Sequence, residues 1–207
     1  MMAAKVSHVT ALDPSAGMLA HLRRNMREAG LSNYSCVQAR WEDIILNRDI
    51  EVHDVAVAAY SLGFYDLRAA LEKLDAAAER AVYLFWHAGE WRSPDELELM
   101  EAVFRPETPI HIHYPDYQLI TSILHDMGIF ADVRIFQSRS ITHYASPEEA
   151  AENWITLHNA SRERRSTVCE HFRRELQPAE DGTWIQVKTR RRAMIWWEKE
   201  GGGGQRG

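Results

Sequence analysis

The run Asp54-Val-Ala-Val-Ala-Ala-Tyr60 constrains the fold most, because almost nothing in it is polar. A strand with one wet face alternates apolar and polar residues, whereas an apolar run is buried on both faces, as in a parallel sheet. Ala81 to Trp86 has the same character, and Val6 to Leu12 and Ser35 to Ala39 are shorter strand candidates. Helical segments separate them. Ser15 to Ala29 places Met18, Leu19, Leu22 and Met26 on one face and stops at Gly30, the C′ residue. Leu67 to Glu79 is rich in Ala, Leu and Glu, all strong helix formers. This alternation predicts an α/β, Rossmann-like architecture. A mostly parallel sheet carries flanking helices on right-handed crossovers and ends in an antiparallel C-terminal strand.

The second half alternates less regularly. Ser93-Pro-Asp-Glu96 and Ser146-Pro-Glu-Glu149 have capping-box spacing and predict helix starts, the first helix reaching about Phe104. Arg105 to Tyr114 reads as a loop, Pro115 to Met127 as a helix and Ala131 to Phe136 as a strand. The helices from Ser146 to Leu176 are an insertion before the last extended pieces, Trp184 to Lys188 and Ala193 to Glu198, and are expected to form a lid. The basic stretch Lys188 to Arg192 between those pieces reads as a solvated turn. Residues 1–200 form a single domain on this reading, followed by a flexible glycine-rich tail over 201–207.

The formal net charge of −6 gives no electrostatic reason to expect a nucleic acid or an anionic membrane as partner. Cys36 and Cys169 match no metal or redox spacing. No apolar run approaches the roughly 20 residues of a membrane span. With no signal-peptide core at Met1 to Lys5, a cytoplasmic location is expected.

Asp13 stands where a sheet of this kind binds ligands, at the end of a strand and before a helix. A carboxylate there can accept hydrogen bonds from vicinal ribose hydroxyls. It can equally cap the helix. The neighbourhood bears on the choice. Val9-Thr-Ala-Leu-Asp13-Pro-Ser-Ala-Gly-Met18-Leu19, with Asn25 and Gly30 following, resembles the second strand and helix of class I S-adenosylmethionine-dependent methyltransferases. Cys36-Val-Gln-Ala-Arg-Trp41-Glu42-Asp43 resembles their third strand and the turn bordering adenine. Asp54 to Leu62 resembles their fourth strand and the loop beside the methyl group. The resemblance covers residues 5–90 well and continues more weakly beyond.

It implies S-adenosylmethionine as cofactor and methyl transfer to a small-molecule or protein acceptor. Asp13 would hold the ribose, with Ser15 and Met18 at the edge of the adenosine site. Trp41 would pack along adenine, unless it is a core tryptophan, and Trp41 or Glu42 would meet the exocyclic amine. Tyr60 would face the sulfonium, and His87 is the candidate catalytic base. Asp13, Met18, Trp41 and Tyr60 should then converge on one cleft. Tyr65, Trp86, His87, Tyr114 and His143 are candidates for the acceptor pocket. A metal at His111-x-His113 with His87 or His143 is the weaker reading of those histidines, so no metal is expected.

The family's first strand and glycine-rich turn have no counterpart within these residues, and that strand lies between the Asp13 and Tyr60 strands. A chain folding without it is expected to close the gap, pairing Val9 to Leu12 directly with Val55 to Ala59. Two other functions fit the same residues. One is a non-catalytic remnant serving as an interaction module or homodimer. The other is an NAD-binding oxidoreductase, whose ribose also needs an acid after the second strand.

Overall fold

A computed structural model describes residues 2–89, 92–104 and 116–199. The chain divides into two compact units. The first comprises residues 1–84, 123–132 and 196–207, and the second 85–122 and 133–195.

In the first unit, a 3-10 turn at Met2–Lys5 leads into β1 (Val9–Leu12), α1 (Ala16–Glu28) and β2 (Tyr34–Val37). β1 and β2 pair in parallel, Val9 opposite Tyr34 and Leu12 opposite Val37. Ser15 caps α1 by accepting the Met18 N–H, and Gly30 follows the helix at φ 68°, which a side chain would resist. β3 (His53–Ala59), α2 (Leu67–Ala76) and β4 (Ala78–His87) form the next strand–helix–strand unit. The His53 N–H donates to Ala77 O at 3.1 Å, where β3 starts beside β4. Leu71, Leu74, Val82 and Leu84 are buried, so α2 packs its apolar stripe against the sheet as its sequence period requires.

The gap does not close. β1 pairs with β2 in a two-stranded sheet, and β3 belongs to another sheet, next to β4. The expected pairing of Val9–Leu12 with Val55–Ala59 is therefore corrected. The physical reason lies in the helices: α1 and α2 fix β1 and β3 through their own buried stripes, which include Leu19, Met26, Leu71 and Leu74. Those contacts would be lost if either strand slid across. Only a side-chain bond links the two strands among the described residues, His53 Nε2 to Thr10 Oγ1 at 2.8 Å.

The second unit contains α3 (Pro94–Phe104), β5 (Asp132–Tyr144) beyond its first residue, α5 (Pro147–His158), α6 (Arg165–Glu175), β6 (Gln177–Pro178) and most of β7 (Trp184–Glu198). α4 (Tyr117–Asp126) passes from this unit into the first. Of the two predicted capping boxes, the first forms in full and the second in part. Ser93 N–H donates to Glu96 Oε2 while Glu96 N–H donates to Ser93 Oγ, at 3.1 and 3.2 Å. At the other box, Glu149 N–H donates to Ser146 Oγ, but the Glu149 carboxylate takes the N–H of Ala145 instead. Leu99, Val103, Ile155, Val168 and Phe172 form the core where α3, α5 and α6 meet, with Tyr144 and Trp184 packed against it. The inserted helices thus pack on the end of β5 and the start of β7.

β7 is the clearest departure from expectation in this half. Its 15 residues run unbroken through the basic stretch that reads as a turn. Lys199 N–H meets Arg80 O and Ala88 N–H meets Arg191 O, so β7 runs antiparallel to β4. Strand periodicity explains why five consecutive polar residues are tolerated. Lys188, Arg190 and Arg192 are half-buried on one face while Thr189 and Arg191 are exposed on the other. Glu96 supplies the counter-charge, bonding Lys188 and taking both oxygens to Arg190 Nη2 at 3.0 and 2.8 Å. Burial raises the Glu96 pKa, but Lys188 and Arg190 outweigh it and keep the carboxylate ionised. No helix among the described residues is long and apolar enough to cross a membrane.

Candidate functional site

β1 ends at Asp13, and the turn that follows fixes the carboxylate. Ser15 N–H donates to Asp13 Oδ1 at 2.7 Å, while Ser15 Oγ accepts from Met18 N–H at 3.3 Å. Ser15, not Asp13, is thus the helix cap, and Asp13 Oδ2 has no protein donor among the described residues. β2 leads through Arg40 into a 3-10 turn at Trp41–Asp43. Lys73 of α2 holds that turn, its ammonium donating to the carbonyls of Trp41, Glu42 and Ile44 at 2.9–3.0 Å. The same ammonium lies 5.5 Å from the Trp41 ring centroid, a cation–π distance. Trp41 Nε1 donates to Ala70 O, so the indole is pinned to α2 at its edge. The sequence reading missed Lys73 because a lysine inside a helix ordinarily points to solvent. Its spacing from Ala70 on α2 is visible only once Trp41 is known to lie there.

Asp13, Trp41 and Glu42 come together on one cavity of about 450 Å3 in the first unit, with Ser61, Gly63 and Phe64 on its far wall. Ser61 to Phe64 follow β3, and Leu62 is fully buried beneath them, anchoring the loop. The sequence reading ended this loop at Leu62 and did not single out Gly63 or Phe64. The cavity also extends between the strands, along Thr10, Leu12, Val55 and Val57. Its carboxyl-end portion and its inter-strand portion are therefore different kinds of space.

Met18 lines a separate hollow with Leu22 and Met26, and is 59% exposed. Asp13 borders that hollow as well. Tyr60 does not line the main cavity. It ends β3 at φ 56°, in the left-handed region, and its side chain is exposed. Glu42 is exposed and pairs with Arg40 at 3.3 Å. Its pKa is lowered, chiefly by its own backbone amide and then by Arg40.

His87 ends β4 in the second unit, half-buried and edge-on to Trp86. Its Nδ1 accepts from Arg192 Nη1 at 2.5 Å, and since arginine has no acceptor, the neutral ring carries its proton on Nε2. Trp86 is buried in the core, Tyr65 stands fully exposed, and His143 Nδ1 lies 3.3 Å from Thr183 Oγ1. His111, His113 and Tyr114 lie outside the described residues.

Burial, then the charges of Arg192 and Arg190, push the His87 pKa below the ordinary histidine value of 6.5. Burial likewise lowers that of His171, which is 8% exposed. A lowered pKa means the unfolded chain binds more protons at mildly acid pH. The stability these neutral rings confer is complete above pH 6.5 and is lost as pH falls from there to the folded-state values. Urea denaturation across pH 7.5 to 5 should show the midpoint falling below about 6.5, and His171→Gln should flatten that fall. A midpoint unchanged down to pH 5 would contradict the burial argument.

No protein-family model matches the sequence, and no curated protein does. Solved structures do match in shape. YcgJ of Bacillus subtilis aligns over 97% of this chain and 86% of its own, at 15% identity and a TM-score of 0.55. A candidate methyltransferase of Bacillus halodurans, BH2331, aligns over 92% and 82%, at 13% identity and a TM-score of 0.54. At these identities the likeness is one of fold. The chain has a Rossmann-like α/β fold.

Proposed function

We propose that this protein transfers a methyl group from S-adenosylmethionine to a small-molecule or protein acceptor. The observation that carries the reading is the Asp13 carboxylate at the end of β1, sharing a cavity with Trp41 and Glu42 after β2. One Asp13 oxygen is held by Ser15, which orients the other for a ribose diol. Trp41 would give the adenine a flat wall, held in place by Lys73 and Ala70. Glu42, or the backbone beside it, would accept from the exocyclic amine. Ser15 would bound the adenosine on the α1 side.

When bound, the cofactor would supply an electrophilic methyl group to the acceptor's lone pair. The acceptor's proton then needs a base. His87 is neutral at pH 7 and is the proposed base, but its Nδ1 lone pair already accepts a hydrogen bond from Arg192. Proton uptake there requires the Arg192 side chain to swing away or the ring to change tautomer.

Isothermal calorimetry of the protein with S-adenosylhomocysteine and with NAD tests the reading. Binding of the first and not the second is expected. A preference for NAD would transfer Asp13 to the ribose of an oxidoreductase and end the proposal.

A further inference from the structure

We infer that the second unit holds a binding site for a small aromatic carboxylic acid, in the cavity of about 290 Å3 that β7 shares with α3, α5 and α6. The site rests on its own side chains and not on the cofactor reading. Its floor is one face of β7. Gln186, Lys188 and Arg190 alternate along the strand and all three line the cavity, whereas Val187 and Thr189 between them do not.

Gln186 is the residue that asks for a ligand. It is 5% exposed, yet its side-chain amide makes no hydrogen bond to any described residue. A buried amide left open is costly, and folded proteins pair nearly all of them. The cavity gives this one room for a partner. The cations beside it also have hydrogens to spare. Glu96 takes one bond from the Lys188 ammonium and both of its bonds to Arg190 from Nη2. The other two ammonium hydrogens, and Nε and Nη1 of Arg190, have no acceptor among the described residues. Tyr144 adds a hydroxyl, and burial, which raises its pKa, keeps it a donor.

The chemistry of the occupant follows from this lining. Donors outnumber acceptors. Lys188 and Arg190 together carry one positive charge more than Glu96 removes, and Arg92 lines the same cavity. That excess selects an anion, and a guanidinium fork beside an amide suits the planar oxygens of a carboxylate. The remaining wall is apolar and largely aromatic, with Trp154 and Phe172 in it. Trp154 is held in place by stacking on His158, 4.3 Å away between centroids. Such a wall selects a flat hydrocarbon body rather than an inorganic ion. The volume lies at the lower end for small-molecule sites, which suits a single ring.

Isothermal calorimetry of the protein with benzoate, phenylacetate and cinnamate tests this, with benzamide and inorganic phosphate as controls. At least one of the three acids should bind with a Kd below about 1 mM. Benzamide and phosphate should each bind at least about tenfold more weakly, as expected when an interaction with a charged group or with the ring is lost. Gln186→Leu should weaken the acid by about tenfold or more and leave the urea midpoint unchanged or higher, because hydrocarbon of similar size replaces a buried amide. Arg190→Lys keeps the charge and leaves Glu96 paired with Lys188, but removes the fork, and should weaken the acid to a similar extent. Three outcomes would overturn the inference: no acid binds, benzamide or phosphate binds as tightly as the best acid, or neither substitution changes the acid's Kd. No readout uses a methyl donor, so failure to bind S-adenosylhomocysteine would leave this test standing.

Discussion

Phe172→Ala is expected to cost about 3–5 kcal/mol, the range for removing a buried phenylalanine from a packed core. Phe172 is 4% exposed and lies among Leu99, Val103, Ile155 and Val168. Its ring also approaches Tyr144, at 6.4 Å between centroids, and His171 at 5.3 Å. It therefore ties α6 both to the other helices of the second unit and to the end of β5. The ring's transfer energy and the cavity left behind add, because the surrounding core relaxes only partially into the space. The chain has two compact units, so the loss is best read by native-state hydrogen exchange in α5 and α6 rather than from one melting curve. A loss below about 1 kcal/mol would mean this core is not close-packed.

What the sequence made legible, and what it did not, follows from the range of the forces involved. Local signals carried far. Ser93 and Glu96 bond each other as their spacing implies, and Gly30 ends α1 in the left-handed conformation. The apolar run at β3 and the helices around it gave the α/β class, because periodicity and burial act within one element. Longer-range features were hidden. The stretch Lys188 to Arg192 looks like a solvated turn until Glu96, 92 residues away along the chain, is placed against it. One partly buried carboxylate then pairs with two of the three cations on one face of a strand. Lys73 hides in the same way, since the carbonyls it holds belong to a turn some 30 residues earlier. The gap between β1 and β3 misled for another reason. Strand closure appears favourable when only backbone edges are counted, but β1 and β3 are also anchored by helices whose apolar stripes oppose the slide. Of the residues singled out at the candidate site, Asp13, Trp41 and Glu42 meet on one cavity, whereas Met18 faces another hollow.

Asp13 and Ser15 should separate binding from folding when each is replaced in turn. Asp13→Ala removes the acceptor proposed for the ribose hydroxyls and should weaken S-adenosylhomocysteine binding by about 1–3 kcal/mol, the range for hydrogen bonds to a charged group. Its effect on stability should be smaller, because the protein bond it loses is one to a solvent-exposed amide at Ser15. Ser15→Ala should do the reverse. It removes the side chain that accepts from Met18 N–H, at a typical N-cap cost of about 1 kcal/mol, while its own N–H still donates to Asp13. Calorimetric dissociation constants and urea midpoints measured on both variants give the contrast directly. If Asp13→Ala leaves the dissociation constant unchanged, the carboxylate is only a brace for the turn before α1, and the ribose assignment fails. If Ser15→Ala weakens binding as strongly as Asp13→Ala does, the turn's geometry, and not the free oxygen of Asp13, is what the ligand reads.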